Sequence, residues 1–131
     1  MAADADIHAA LMAQAETITG YSILWPQVGG DVPEDEHITV QVLPNDNEPV
    51  GTADDVYFRQ GFLVITLVSP LGVHEVVTKR KAGELAAYFK RGCRLESNGT
   101  KVTIRGHTTK KGRRVEDRWE TPIWIEYWSK A

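Results

Sequence analysis

The sequence predicts an α+β fold, a mostly antiparallel mixed sheet with two main helices packed on it. Two segments space their apolar residues as an amphipathic helix does, and several others alternate apolar and polar residues as strands do. An Asn-Gly pair marks a tight turn late in the chain. The order helix, strands, helix, strands is typical of helices lying against one sheet. Because 131 residues is the size of one domain, we expect residues 1–131 to form a single domain.

The first helix is predicted near the start of the chain. Its apolar residues form one stripe at helical spacing: Ile7, Ala10, Leu11, Ala15 and Ile18. Asp6 is a suitable N-cap and Gly20 a suitable end, which predicts a helix of about 12 residues.

Strands follow this helix. Residues 21–25 are consistent with a short strand, and residues 26–37 form a loop rich in Gly, Pro and acidic residues. Residues 38–43 alternate apolar and polar side chains, which predicts a strand with one face on the core.

A loop and a long strand come next. Residues 44–55 contain too few apolar side chains to be packed, so we expect an acidic surface loop. Residues 56–68 are apolar at almost every position in their second half, as in a central strand covered on both faces. Gly61 is expected to mark a bend or bulge in it.

The second helix is predicted over residues 70–91. Ser69 would be its N-cap and Pro70 its first residue. Its apolar stripe consists of Ala82, Leu85, Ala86 and Phe89. Lys90 and Arg91 suit the negative end of the helix dipole, and Gly92 suits a left-handed cap.

The remaining chain is predicted to form strands. Asn98-Gly99 indicates a type I′ hairpin turn, after which Val102 and Ile104 face inward. In the last strand, residues 122–128, two sets of side chains alternate between the faces: Ile123, Ile125 and Tyr127 on one, and Trp124, Glu126 and Trp128 on the other. Trp124 and Trp128 are therefore either core residues under a helix or interface anchors on an edge strand.

Charge is distributed unevenly along the chain. Residues 1–58 contain eleven acidic residues and no Lys or Arg, so residues 59–131 hold all 15 basic residues and seven acidic ones. The halves carry about −11 and +8, although the net charge is only −3. Such asymmetry fits a nucleic-acid partner or association between copies of the chain. If the halves interleave in one sheet, the charges instead pair within the monomer.

The stretch HTTKKGRRVEDRW contains the densest group of cations. With Arg105 just before it, the basic residues are Arg105, Lys110, Lys111, Arg113 and Arg114, with no acid before Glu116. Three interpretations remain: a solvated hairpin loop with Gly112 near its tip, a self-association surface, or a nucleic-acid contact. Residues 105–114 contain no Phe, Tyr or Trp for base stacking, and no known nucleic-acid-binding signature accompanies them.

The sequence contains no pattern that indicates catalysis or a cofactor. The four histidines are scattered without metal-ligand spacing, and no nucleophile elbow, P-loop or dinucleotide-binding glycine motif is present. Cys93 is the one cysteine, so we expect no internal disulfide, no zinc site and an inert, buried thiol. No apolar run approaches the ~20 residues of a membrane helix, and acidic Asp4 and Asp6 argue against a signal peptide. We therefore expect a cytosolic, unprocessed protein that is not an enzyme.

Taken together, the order of segments resembles the tail-terminator, or tail-completion, proteins of long-tailed bacteriophages. The resemblance covers nearly the whole chain and lies in six segments: residues 7–11, 38–43, 69–72, 86–92, and the strands 102–104 and 122–128. It implies an α+β subunit of a hexameric ring that sits on the last ring of the tail tube, stops polymerisation and presents a docking surface to the head's neck. It also implies no enzymatic activity, no cofactor, and DNA that passes through the lumen of the ring. The expected location is the virion tail, after assembly in the host cytoplasm.

A ring needs two different surfaces that meet between neighbours. We expect an acidic loop of one subunit to approach the basic stretch of the next, because opposite charges steer and orient such contacts. The candidate interface residues are Asp46, Glu48, Asp54, Asp55, Lys110, Lys111, Arg113, Arg114, Trp124 and Trp128. Two alternatives stay open: another head–tail joining component of the neck, such as a stopper, and a small nucleic-acid-binding module that uses residues 105–114.

Overall fold

The computed structural model describes residues 3–25, 35–44, 48–49, 57–72 and 74–130. Within them, eight strands form one sheet and two α-helices pack on it. The strands are β1 (Ser22–Leu24), β2 (His37–Pro44), β3 (Glu48–Pro49), β4 (Tyr57–Pro70), β5 (Arg94–Ser97), β6 (Thr100–Thr109), β7 (Arg113–Val115) and β8 (Arg118–Lys130). The helices are α1 (Ala3–Ala15) and α2 (Glu75–Ala86), and a 3₁₀ turn, Ala87–Phe89, follows α2.

The sheet has the order β1-β2-β4-β8-β6-β5, with β3 paired to β4 and β7 paired to β8. Only β1 and β2 run parallel among these pairs, so the sheet is mixed and mostly antiparallel. The predicted α+β class is confirmed. So are the short strand within residues 21–25 and the strand over residues 38–43.

One face of the sheet carries the core, and we call it the helix face. Both helices contribute to this core through the predicted stripes, with Leu11 and Ala15 in α1 and Leu85 and Ala86 in α2 at most 1% exposed. The sheet contributes alternate residues: Ile38, Val40, Leu63, Ile65, Leu67, Val102, Ile104, Ile123, Ile125 and Tyr127. The opposite side, which we call the far face, carries Phe62, Val64, Trp124 and Trp128.

The first helix begins and ends earlier than predicted. It starts at Ala3, so Asp6 is not the N-cap. Asp6 lies in the first turn, where its charge suits the positive end of the helix dipole. Asp4 accepts a hydrogen bond from Arg59 Nε at 3.0 Å, and Asp6 accepts one from Asn98 Nδ2 at 3.0 Å. These two bonds attach the start of α1 to β4 and to the Asn98-Gly99 turn.

The second helix is shorter than the predicted residues 70–91. Ser69 and Pro70 end strand β4, where they lie opposite Trp119 and Arg118 of β8, so they do not cap α2. The Ser69-Pro70 pair does not start the helix, because the pairing between β4 and β8 extends through both residues. Gly72, with a φ of +96°, turns the chain before the helix. The predicted C-terminal end is also wrong, because α2 ends at Ala86 and the 3₁₀ turn at Phe89, so Lys90 and Arg91 lie beyond the last helical turn. Phe89 is nonetheless fully buried, and Gly92 has the expected positive φ, +85°.

Gly61 lies in β4 without a bend or bulge, contrary to the prediction. Its register is continuous, opposite Pro44 of β2 and Tyr127 of β8. A Cβ atom at this position would lie 2.7 Å from the Tyr127 hydroxyl and 2.9 Å from Pro44 Cα. The glycine therefore provides space for the Tyr127 hydroxyl, whose pKa is raised by burial and by the nearby Asp4 carboxylate.

The Asn98-Gly99 turn is confirmed, since both residues have positive φ and join β5 to β6. The basic stretch, however, is not a loop with Gly112 at its tip. Residues 105–109 belong to β6 and Arg113–Val115 form β7, and the turn lies at Glu116 and Asp117. Gly112 is buried, and a Cβ there would lie 2.7 and 2.8 Å from ring atoms of Trp119. Contact with Trp119 explains the glycine.

The strands of the two halves of the chain lie at opposite sides of the sheet. Strands β1 and β2, from the half without Lys or Arg, form one side, and β6 and β5 form the other. The strands thus do not interleave, although β4 and β8 sit next to each other at the centre. Among the described residues, two ion pairs still join the halves, Asp4 with Arg59 and Glu36 with Lys81. Pairing within the monomer is therefore part of the explanation for the charge pattern.

Candidate subunit interface

We call residues 105–114 the basic segment. It runs along the outer side of β8, first as the second half of β6 and then as β7. All five of its cations are exposed: Arg105, Lys110, Lys111, Arg113 and Arg114. The structure therefore gathers four predicted interface cations on one side of the sheet.

Two cations of the basic segment have carboxylate partners on β8. Arg105 Nη1 lies 3.4 Å from Glu126 Oε1, and Arg113 Nη2 lies 3.5 Å from Glu120 Oε1. The Arg113 side chain is 73% exposed, so its pair contributes little to the free energy of unfolding, typically about 0.2–1 kcal/mol. Arg114 Nε donates to the backbone oxygen of Glu116 at 2.9 Å, which ties it to the turn.

Lys110 joins the basic segment to the aromatic side chains of the far face. Its Nζ lies 5.4 Å from the centroid of the Trp124 ring, within the range of a cation–π contact. Trp124 in turn packs edge-to-face with Phe62, with centroids 5.1 Å apart and an interplanar angle of 66°. Aromatic rings thus lie beside the cations, which the linear sequence of the stretch does not reveal.

The Trp residues occupy a position that neither prediction described. Trp124 and Trp128 are half-buried on the far face, so they are not core residues under a helix. Strand β8 lies between β4 and β6, so they are not on an edge strand either. Their role as interface anchors stays a prediction.

The acidic half of the predicted interface is only partly described. Asp46, Asp54 and Asp55 lie outside the described residues. The backbone of Glu48 belongs to β3, opposite Phe58, whereas Lys110 donates to Pro122 O at 2.8 Å, opposite Thr66. Eight residues of β4 separate these positions, which is about 26 Å at the rise of a strand. The backbone of Glu48 therefore lies far from Lys110 and from the three candidate cations that follow it in its own chain.

Sequence reasoning did not identify the open backbone edge of β6. Strand β5 pairs only with Thr100–Thr103, and Ile104 bonds to Gly92 and Cys93. Beyond a bulge between Ile104 and Gly106, no described strand lies on the outer side of residues 106–109. The sequence carries little signal for this edge. The edge is open because β5 is short, and β5 is short because the chain before it turns at Gly92 and joins the sheet only at Arg94.

Three buried polar atoms near the β7–β8 hairpin have no hydrogen-bond partner among the described residues: Arg118 Nη1, Trp119 Nε1 and Thr121 Oγ1. On the far face, a cavity of about 230 Å³ is lined in part by His37, Arg118, Glu116 and Glu120. His37 is buried, and its Nδ1 lies 3.0 Å from the Asp35 carbonyl oxygen. Despite this lining, no group of three His, Cys, Asp or Glu residues suited to a metal ion occurs in the part of the chain that the structure describes.

Cys93 is half-buried and carries a free thiol, so the expectation of a fully buried cysteine is wrong. Neither described helix is long and apolar enough to cross a membrane.

A family model described as phage tail terminator protein matches residues 6–127. The chain belongs to the phage tail terminator family. The resemblance in the order of its segments is thereby confirmed. This family consists of structural proteins of the phage tail, which assigns the protein a role in the virion tail, in association with other tail and virion components.

Solved structures share the fold of this family member. One is the virion of a native gene transfer agent particle, with a TM-score of 0.67 and 13% identity over 99% of this chain and 98% of that chain. Another, whose name states no role, has a TM-score of 0.72 and 20% identity over 96% of this chain and 92% of that chain. At these identities the likeness concerns the fold. No curated protein matches the sequence significantly.

Proposed function

We propose that the protein, acting as one domain over residues 1–131, closes into a hexameric ring on the last ring of the tail tube. There it stops tube polymerisation and presents a docking surface to the neck of the head. The observation that carries this proposal is the match of the tail terminator family over residues 6–127. The protein is a structural subunit without catalysis or cofactor, assembled in the host cytoplasm, and DNA passes through the lumen of its ring.

The arrangement of the strands supports a ring. Head-to-tail contacts require two different surfaces on each subunit, and rings close when the rotation is right. The first-half strands, from the acidic half, and the basic segment lie on opposite sides of one sheet. Identical basic segments repel each other, whereas an acidic surface of the next copy attracts them. Charge therefore favours a head-to-tail contact over a two-fold one.

We assign the contact to the acidic residues Asp46, Glu48, Asp54 and Asp55 of one subunit and to Lys110, Lys111, Arg113 and Arg114 of its neighbour. The separation between β3 and Lys110, the first of these four cations, is about 26 Å counted along the strands, which favours a contact between subunits over one within the chain. Trp124 lies beside Lys110 on the far face, and Trp128 lies on the same face opposite Thr103. Both would extend the surface with apolar area.

Addition of the purified protein to growing tail tubes tests the function. We expect tubes to stop growing and to carry the protein at one end only, as seen by electron microscopy with a labelled chain. Uninterrupted growth of tubes in the presence of excess protein contradicts the proposal. Binding to the portal side instead of tube ends identifies a neck component.

Charge reversal tests the assigned contact. Changing Lys110, Lys111, Arg113 and Arg114 to Glu should abolish rings, and reversing Asp46, Glu48, Asp54 and Asp55 to Lys in the same chain should restore them in part. A matched control reverses four exposed cations elsewhere, Lys79, Arg80, Lys90 and Arg91, and should leave ring formation unchanged. If both quadruple variants behave alike, the basic segment is not the contact. If the basic-segment variant instead loses salt-dependent binding to a short duplex that the wild type shows, the segment is a nucleic-acid surface.

A further inference from the structure

The hydrogen-bonding pattern of β6 leaves backbone groups without strand partners on one side. Lys110 N–H donates to Pro122 O, which makes residues 110 and 122 a hydrogen-bonded pair of the β6–β8 ladder. In an antiparallel ladder such pairs alternate with non-hydrogen-bonded pairs. The register Thr109 with Ile123, Thr108 with Trp124 and His107 with Ile125 is continuous. The N–H and C=O groups of His107 and Thr109 therefore point away from β8.

The preceding residues confirm this orientation. Ile104, which also points its backbone away from β8, accepts from Gly92 N–H at 2.7 Å and donates to Cys93 O at 2.9 Å. The bulge inserts one residue, so after it the backbone groups that point away from β8 belong to His107 and Thr109. No described strand lies beyond the end of β5 to bond with them. The edge thus presents two donors and two acceptors at strand spacing.

Such an edge accepts an added strand, unless something protects it. Lysine side chains on an edge discourage uncontrolled pairing, and the five cations of the basic segment do so here. A second copy that offered the same edge would bring like charges together. The cations therefore select a strand from an acidic surface.

We infer that the open edge at His107 and Thr109 receives strand β1 of a second copy of this chain, which continues the sheet from one subunit into the next. Among the described strands of the acidic half, β2 is flanked by β1 and β4, and β3 contains Pro49, which lacks a backbone N–H. The outer side of β1 (Ser22–Leu24) carries no described strand. Strands β1 and β6 lie on opposite sides of the sheet, as a head-to-tail contact requires.

This inference rests on the proposed ring and specifies how its subunits join. Main-chain hydrogen bonds would provide the contact, while the flanking charges would select the partner and its register. If charge attraction alone joined the subunits, the backbone amides of residues 107 and 109 would stay exposed to solvent in the ring. Solvent protection of these amides therefore distinguishes strand addition from charge attraction alone.

Hydrogen exchange of the full chain distinguishes them. Amides are labelled in the monomer and in the assembled state, formed alone or on purified tubes, then quenched and located residue by residue by mass spectrometry. We expect exchange at His107 and Thr109, and within Ser22–Leu24, to slow about 10-fold or more on assembly. Thr108, whose amide is already bonded to β8, is an internal reference that should slow much less.

Proline provides a second test. Thr109→Pro removes an N–H group that bonds to no described strand of the monomer, and an edge position tolerates proline. We expect its melting temperature to stay near that of the wild type, while subunit association weakens about 10-fold or more. Thr109→Ala keeps the N–H group and should assemble normally.

The outcomes are separable. Rings whose amides at residues 107 and 109 still exchange rapidly overturn strand addition and leave the proposed function standing. Protection at these residues without protection in Ser22–Leu24 overturns the choice of β1. Absence of any assembly, alone or on tubes, overturns the proposed function and the inference with it. The exchange experiment needs no variant, so a Thr109→Pro chain that fails to fold does not affect these conclusions.

Discussion

At the scale of single residues, the environment of Gly112 shows what a linear sequence conceals. A glycine between four cations indicates an exposed turn, yet Gly112 is buried against a tryptophan seven residues later. The contact exists because β7 folds back on β8 through the turn at Glu116 and Asp117, which brings Trp119 opposite Arg114. Spacing along the chain carries no signal for such packing, whereas the Asn98-Gly99 turn is local and was predictable.

Gly112→Ala should destabilise the protein. The added methyl group would meet the rigid Trp119 ring at less than 3 Å, and such overpacking typically lowers the free energy of unfolding by about 1–3 kcal/mol. Urea unfolding followed by circular dichroism measures the change.

Gly83→Ala is the matched control. Gly83 is exposed in α2 and has no atom within 4 Å of an added Cβ, so alanine should stabilise the protein by about 0.5–1 kcal/mol. Equal unfolding midpoints for the two variants would show that Gly112 is not constrained by Trp119.

At the scale of elements, a small polar cluster joins three segments at one end of the sheet. Glu36, just before β2, accepts from Ser69 Oγ at 3.0 Å and from Lys81 Nζ at 2.7 Å. Ser69 ends β4 and is fully buried, and Lys81 lies in α2, with a pKa raised mainly by its hydrogen bond to Glu36. This cluster holds Ser69 at the end of β4, although the sequence predicted that Ser69 would cap a helix.

Glu36→Ala should therefore cost more than the loss of a surface ion pair. It leaves the buried Ser69 hydroxyl without its acceptor, a penalty of about 1–3 kcal/mol, whereas Lys81→Met removes a partly exposed pair worth about 1 kcal/mol or less. Thermal and urea unfolding of both variants compare the two.

A double-mutant cycle controls this prediction. Once Ser69→Ala has removed the hydroxyl, Glu36→Ala should cost less than it does in the wild type, because no buried donor is left unpaired. Strict additivity of the two substitutions would show that the Ser69–Glu36 hydrogen bond does not matter for stability.

The boundaries of the helices and strands show which structural features the sequence patterns predict and which they do not. Apolar stripes located both helices, and alternation located β2, β6 and β8, because burial on one face imposes these periods. A nearly continuous apolar run located β4. The start of α2 was predicted wrongly, since a Ser-Pro pair fits a strand end as well as a helix start. The length of β8 was underestimated, since Arg118 and Glu120 are polar and gain their strand partners from β4 and β7.

At the scale of the whole molecule, the sheet converts a charge pattern along the chain into a charge pattern across a surface. The order β1-β2-β4-β8-β6-β5 could not be predicted from the sequence, because strand pairing between distant segments depends on the fold and not on local period. The class of fold and the identity of the cations could be predicted from it. The sequence thus allowed residues of a candidate interface to be proposed, whereas their arrangement, including the open edge of β6, could not be predicted from it.

Salt separates the two contributions to assembly that we propose, attraction between charges and backbone hydrogen bonds between strands. The screening length falls from about 10 Å at 0.1 M salt to about 3 Å at 1 M, which weakens exposed charge pairs but not backbone hydrogen bonds. Light scattering coupled to size exclusion, over a concentration series, should show ring-sized particles whose association constant falls as salt rises from low to moderate concentration. A variant with Lys110, Lys111, Arg113 and Arg114 changed to Gln should assemble more weakly at low salt and respond less to added salt, so that the two proteins converge when the charges are screened. Association of the wild type that is independent of salt would contradict the charge-based selection of the neighbour. A monomer at every concentration would place ring closure on the tube, where the same salt series is then measured as the fraction of capped tube ends.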